Sequence, residues 1–211
     1  MTKIDQRSDE TKNNILTAAK ELFADRGYDT VTMRQIAKKA GCSHTTIYIY
    51  FKDKEALLHQ LSMPSLLKLQ KQMEQIAQHD ALTPEDRLKQ ISHKFIHFCL
   101  QNKNMYTIII AAQSTRIDEK DPKLEINKLR NNMFALLMSV IQECLSIPKN
   151  EQLLTFTRIF FYNLHGTLST YTYSHESVEE LMNRLSSTFD EAVDVLLFGF
   201  KEKINQGADE K

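Results

Sequence analysis

The run His44-Thr45-Thr46-Ile47-Tyr48-Ile49-Tyr50 puts an imidazole, hydroxyls, phenols and branched hydrocarbons within two helical turns. At helical spacing Ile47 and Phe51 form an i, i+4 apolar pair that would face inward. That leaves His44, Thr45, Tyr48 and Ile49 outward, with Tyr50 and Lys54 on the flank. Such a mixture suits the major groove of a duplex, where base edges show donors, acceptors and thymine methyls. The N-terminus of this helix, behind Ser43, favours phosphate through its exposed N–H groups and dipole. Flanking Lys and Tyr side chains would fix register on a phosphate backbone without reading bases. Plainer readings stay open: Ser43 as a cap alone, His44 as a solvated ring, Tyr48 as casual packing.

The charge of the chain both limits and supports this chemistry. The 211 residues carry 27 Lys+Arg and 27 Asp+Glu, a formal net charge of zero. A uniformly basic nucleic-acid coat, a disordered acidic tail and a polybasic membrane binder are thereby excluded. Yet residues 34–54 hold Arg34, Lys38, Lys39, Lys52 and Lys54 against Asp53 alone. A local basic patch in a neutral chain fits an anion-binding module, although a solvated helix face would look the same. Cys42, Cys99 and Cys144 are scattered and odd in number, which suits a reducing cytoplasm better than a disulfide framework. No apolar leader opens the chain, and the run Ile108–Ala112 is far short of a bilayer span. A cytoplasmic protein without membrane partners is expected.

The elements that must hold the run in place can be read from caps and periodicity. Between Thr11 and Arg26, Ile15, Ala18, Ala19, Leu22 and Phe23 fill the amphipathic template. Gly27 suits a left-handed stop, with Tyr28 placed to pack back on Phe23. Thr32-Met33-Arg34-Gln35 fits a capping box. The short helix it opens is interrupted by Ala40-Gly41-Cys42. Ser43 can cap the next short helix, His44 to Phe51, and Asp53 a fourth carrying Glu55 in its first turn. A long helix followed by two short ones across a Gly-containing turn is the helix-turn-helix arrangement.

These residues, at these spacings, resemble the TetR family of bacterial transcriptional regulators. The resemblance rests on Ile15-Leu16-x-Ala18-Ala19-x-x-Leu22-Phe23-x-x-x-Gly27-Tyr28, then Thr32-x-x-x-Ile36-Ala37-x-x-Ala40-Gly41-Cys42-Ser43. It continues through Ile47-Tyr48-x-Tyr50-Phe51-x-x-Lys54-Glu55-x-Leu57. Two positions depart from the common pattern: Thr45, where glycine is usual, and Cys42, where a branched aliphatic residue is usual. The resemblance implies DNA contacts at Thr32 or Met33, Ser43, His44, Thr45, Thr46, Tyr48, Ile49, Tyr50 and Lys54. Of these, His44, Thr45, Tyr48 and Ile49 would read bases, while Thr32, Ser43, Tyr50 and Lys54 would hold phosphates. It also implies an all-α fold of about nine helices. A three-helix DNA-binding domain (8–55) would precede a helical ligand-binding and dimerisation domain (56–204).

Beyond residue 56 the signals are sparser. Thr83-Pro84-Glu85-Asp86 and Asp121-Pro122 read as helix starts, Ser177-Val178-Glu179-Glu180 as a capping box, and Pro64 as an interruption. Helices are expected near 54–79, 84–101, 103–114, 122–146, 149–172 and 177–201, with a frayed end from Asn205. Broad stripes mark the last two: Leu153, Phe156, Phe160, Phe161, Leu164 and Leu168, then Leu181, Met182, Leu185, Phe189, Val193, Leu196, Leu197 and Phe200. The resemblance assigns this pair to a homodimer interface, while simple core packing stays open. A largely apolar small-molecule effector would sit among Phe95, Phe98, Tyr106, Gln113, Phe134, Met138, Phe160, Asn163 and His165. For any single aromatic here, and for His165, interior packing is the plainer role. His93 and His97 have i, i+4 spacing but lack the adjacent Glu of a metalloprotease, so no metal is expected. No P-loop, Gly-x-Ser-x-Gly or dinucleotide-binding glycine pattern occurs, and neither enzymatic activity nor a cofactor is expected. The expected function is repression at a palindromic operator on double-stranded DNA, relieved by the effector. A DNA-organising or cell-cycle protein of the same fold, without an effector, is the alternative.

Overall fold

A computed structural model describes residues 3–102, 125–172 and 174–209. The described residues form eight helices and no strands: α1 (Lys3–Arg26), α2 (Met33–Lys39), α3 (His44–Tyr50), α4 (Lys54–Ala77), α5 (Pro84–Gln101), α6 (Glu125–Leu145), α7 (Glu151–Tyr171) and α8 (Val178–Asp209). The helix expected near 103–114 and the Asp121-Pro122 start lie outside the described residues. Two compact units divide the described chain, one running to Ser65 and the other beginning at Leu66.

In the first unit each helix begins and ends where its side chains can satisfy the backbone. The template residues of α1, Ile15 through Phe23, are buried, and Gly27 stops the helix at φ +77°. That angle is open to glycine and strained for other residues. Tyr28 then packs on Phe23 with ring centroids 5.4 Å apart. Thr32 and Gln35 cap α2 reciprocally: the Thr32 N–H donates to Gln35 Oε1 at 2.8 Å, and the Gln35 N–H to Thr32 Oγ1 at 3.3 Å. Gly41, at φ +71°, turns the chain into α3, whose first turn is capped by Ser43 Oγ accepting from the Thr46 N–H at 2.9 Å. Asp53 Oδ1 accepts from the Ala56 N–H at 2.7 Å and opens α4. Ile36, Ala37, Ile47, Phe51 and Leu57 close the core of this unit.

Helix α1 starts at Lys3, well before the expected Thr11. No proline or glycine stands between residues 3 and 11, so nothing stops the helix from extending backwards.

The second unit is a set of long helices around an apolar interior. Helix α5 starts at the expected Thr83-Pro84 signal, with Thr83 Oγ1 accepting from the Asp86 N–H at 3.1 Å. It buries Leu88, Ile91, Phe95, Ile96, Cys99 and Leu100. The Ser177–Glu180 capping box opens α8 with bonds of 3.0 and 3.2 Å. Instead of ending near 201 and fraying from Asn205, α8 continues to Asp209. Its last turns contain no proline, and Gly207 alone is tolerated at a modest cost in propensity. Phe156 on α7 stacks on Phe200 of α8, with centroids 4.4 Å apart and planes 14° from parallel. Pro64 lies inside α4, where it removes a backbone donor one residue before the units part at Ser65–Leu66.

Candidate nucleic-acid interface and interior sites

Helix α3 divides its residues between core and solvent as its period requires. Ile47 is fully buried, while Tyr48 is 46% and Ile49 77% exposed. An isoleucine this exposed gains nothing from its own fold. His44 and Thr45 are exposed beside them, and the His44 and Tyr48 rings meet edge to face at 5.2 Å. These four residues therefore form one outward patch over little more than a turn.

The remaining nominated DNA contacts sit around this patch in different ways. Ser43 and Thr46 share a hydroxyl–hydroxyl bond of 2.7 Å, so the cap is doubled. Tyr50 is half-buried, and its phenol reaches Ser8 Oγ on α1 at 3.3 Å. Thr32 is exposed at the head of α2. Met33 is 8% exposed and its side chain belongs to the core, leaving its backbone N–H at the helix start as the available group.

Lys54 departs most from an exposed phosphate contact. Its ammonium donates to the carbonyls of Tyr28 at 2.7 Å and Val31 at 2.9 Å, with Asp29 O at 3.5 Å, and it lies 4.2 Å from the Tyr28 ring centroid. Burial of its stem and the carbonyls of the loop after α1 make it a clamp on that loop. Spacing in the sequence showed the basic residue but not these loop carbonyls, which only the fold brings near it.

The electrostatics of the unit favour an anion. Arg34, Lys38 and Lys52 are exposed, and among the described residues none of them has a carboxylate partner, whereas Lys39 pairs with Glu21 at 2.9 Å. The single acid of the segment, Asp53, is half-buried and used as a cap.

In the second unit the nominated effector residues differ in burial. Phe95, Phe134 and Phe160 are buried, and Phe98, Met138 and His165 are partly so. Asn163 is exposed on α7. Tyr106 and Gln113 lie outside the described residues. An open groove of about 710 Å³ is lined by Ile76, Leu82, Lys89, His93, His97 and Asp190 among others, and none of the described nominated residues lines it. His93 there bonds Asp190 Oδ1 at 2.8 Å, and His97 faces Gln101 at 3.3 Å. Among the described residues no group of three or more His, Cys, Asp or Glu could hold a metal. Burial pushes the Cys144 thiol up to about 12 and the Cys99 thiol higher still, so both stay protonated and unreactive at neutral pH.

The apolar stripes of α7 and α8 split in two. Leu153, Phe156, Phe160, Leu164 and Leu168, with Leu181, Leu185, Phe189, Val193, Leu197 and Phe200, are buried within the unit. A different set faces out: Ile159 and Tyr162 on α7, Val195 and Phe198 on α8. The sequence pattern did not separate these because the helices are apolar on more than one side. Asn127 and Arg130, buried on α6, were also missed, although both interrupt the apolar stripe Ile126–Leu129–Met133. Among the described residues no helix is long and apolar enough to cross a membrane.

A helix-turn-helix whose second helix exposes a mixed polar and apolar face, followed by a helical unit, defines a class of helix-turn-helix regulators. The signature of "Bacterial regulatory proteins, tetR family" matches residues 15–61. The HTH-type transcriptional regulator HbdR of Aromatoleum sp. (strain CIB) is 30% identical over 159 residues, which cover 72% of this chain and 67% of that protein. The "Fatty acid metabolism regulator protein" of Bacillus subtilis (strain 168) is 29% identical over 129 residues, or 61% of this chain and 65% of the relative, just under two thirds of its length. The crystal structure of a transcriptional regulator FadR from Bacillus subtilis in complex with stearoyl-CoA superposes with a TM-score of 0.56 at 21% identity, covering 89% of this chain and 96% of that one. The chain belongs to the TetR family of bacterial regulatory proteins.

Proposed function

We propose that this protein is a homodimeric transcriptional repressor that binds a palindromic operator through α3 and is released by a small-molecule effector. The observation that carries the reading is the exposure of Tyr48 and Ile49 on a helix whose opposite face, at Ile47, is fully buried. Base reading falls to His44, Thr45, Tyr48 and Ile49. Phosphate holding falls to Thr32, Ser43, Thr46, Tyr50 and the backbone at Met33. Lys54 contributes twice: two of its donors hold the loop after α1, and the third, long at 3.5 Å, is left for a phosphate. The DNA-binding part corresponds to residues 8–55 and the effector and dimer part to 56–204.

The dimer is assigned to the outward apolar residues of α7 and α8. Ile159, Tyr162, Val195 and Phe198 are together too apolar to stay solvated at no cost. Two α3 helices would then enter successive major grooves about 34–36 Å apart. Effector binding shifts the dimer between states only by its differential affinity for them. Helix α4, which runs on from Lys54 through Ser65 to Ala77, is the covalent link by which that shift would be felt. No enzymatic role is assigned, and the protein is placed in the cytoplasm with its DNA.

The test is footprinting on the DNA upstream of the protein's own gene and its neighbours. A palindromic footprint with half-sites about one helical turn apart is expected. Sequence-independent coverage, or hundreds of equal sites across the genome, would instead make it a DNA-organising protein.

A further inference from the structure

Helix α6 buries a positive charge for which the described protein supplies no negative one. Arg130 is 7% exposed and Asn127, one turn before it, is 2% exposed. One guanidinium nitrogen, Nη1, donates to Asn127 Oδ1 at 3.2 Å, and the buried Nε has no hydrogen-bond partner. The other described arginines of the second unit all find carboxylates: Arg87 with Glu143 at 2.6 Å, Arg158 with Glu151 at 3.7 Å, and Arg184 with Glu176 at 2.5 Å. Arg158 and Arg184 are nearer to water, and Arg87, almost as buried as Arg130, has its carboxylate. Arg130 needs one most and, among the described residues, has no carboxylate within ion-pair distance.

A buried guanidinium cannot escape its desolvation cost by losing a proton, because its ordinary pKa lies far above neutrality. Leaving it unpaired in an apolar interior is strongly unfavourable. Its surroundings are apolar: Phe134 follows one turn along α6 and meets Phe161 of α7 edge to face at 6.0 Å. Phe161 in turn lies 5.5 Å from the His165 ring. Burial, and after it the charge on Arg130, hold that imidazole below its ordinary pKa. Burial lowers the pKa of Arg130, and no acid among the described residues offsets it.

We infer that Arg130 is the anchor for the carboxylate of an apolar acid, whose hydrocarbon part lies among the aromatic residues of α6 and α7. This rests on the effector-gated reading above and names the chemical class of that effector. The donor geometry selects a carboxylate, because Nε–H and a neighbouring Nη–H form the fork that two carboxylate oxygens match. A phosphate dianion would bring more negative charge into the interior than one guanidinium balances. The sequence signal was a lone arginine in the apolar stripe of α6, three residues after a buried asparagine.

The test is calorimetric titration of the purified protein with dodecanoate, 1-dodecanol and dodecanoyl-CoA, on wild type, Arg130→Met and Arg130→Lys. Wild type is expected to bind dodecanoate at least tenfold more tightly than the alcohol of equal length. Arg130→Met removes the charge and keeps the volume, so it should fold with an unchanged or raised melting temperature and bind acid and alcohol alike. Arg130→Lys should retain part of the discrimination, as a point charge without the fork. Equal binding of acid and alcohol by wild type, or discrimination undiminished in Arg130→Met, would overturn the inference. So would failure of all three ligands to bind, or dodecanoyl-CoA binding equally to wild type and Arg130→Met at the affinity of the free acid. Operator affinity is measured in parallel. Acid that binds through Arg130 without weakening operator binding leaves the anchor standing and removes the effector role. Operator release by an uncharged compound, with no acid bound, does the reverse.

Discussion

The two units of this protein use burial in opposite ways. Up to Ser65, the chain packs a small core and leaves its chemically varied residues, His44, Thr45, Tyr48 and Ile49, facing water. From Leu66 on, the long helices bury Phe95, Phe134, Phe156 and Phe160, and an asparagine and an arginine with them, while Tyr162 and Phe198 stay outside. A site for a large, rigid polymer such as a duplex must project from the surface, whereas a site for a small apolar molecule must be enclosed. On the proposed function, the contrast in exposure is a contrast in the size of what each unit meets.

Substituting across the α3 boundary attacks this contrast most strongly. Ile47→Ala removes a fully buried side chain and should destabilise the protein by about 2–5 kcal/mol in urea unfolding. A loss near zero would mean that α3 is not seated as described, and the division between its faces would fail. In the second unit, the pair Val195→Glu and Phe198→Glu places carboxylates on the exposed apolar face. Light scattering should show a folded monomer, with dimer affinity reduced on the order of a hundredfold or more. A dimer of unchanged affinity would move the interface elsewhere.

Lys54 belongs to both aspects of the first unit, so its substitution should show both. Lys54→Ala should lower the melting temperature, because the Tyr28 and Val31 carbonyls lose their donor. It should also weaken all operator sequences about equally and reduce the salt slope by about one unit. A lower melting point with an unaltered salt slope would make Lys54 a clamp only.

The smallest effect is one of pH, and each unit holds one source of it. His59, on α4, and His165, on α7, are both held below the ordinary value of 6.5, first of all by burial. The unfolded chain therefore takes up protons before the folded one does. Stability from these groups is complete above about pH 6.5 and declines as pH falls below it toward their folded values. Melting temperature should drop modestly between pH 7.5 and 5.5, and His59→Gln should shallow the slope. A melting temperature that rises on acidification would contradict both assignments.

Legibility also differed between the units, for a physical reason. In the first, the structure depends on local rules: the Thr32–Gln35 box, glycine at positive φ in residues 27 and 41, and the Ser43 cap all appear at fixed offsets in the sequence. Periodicity alone then placed Ile47 inward and Tyr48 outward. The clamp by Lys54 escaped notice because it joins residues more than twenty apart. In the second unit the caps at Thr83 and Ser177 were as plain, but helices apolar on several sides do not reveal which side meets which neighbour. Phe160 is core, Asn163 faces out, and Arg130, the group with the most unusual surroundings, was hidden by its position in an apolar stripe.

The central claim is that the exposed face of α3 reads DNA while contributing little to the fold. Fluorescence anisotropy with the DNA bound in footprinting, for wild type and Tyr48→Ala side by side with their melting curves, tests it most directly. The account predicts operator affinity at least tenfold lower, about 1.4 kcal/mol, with stability changed by no more than about 0.5 kcal/mol. Unchanged operator affinity, or loss of folding in the Tyr48→Ala protein, would contradict it.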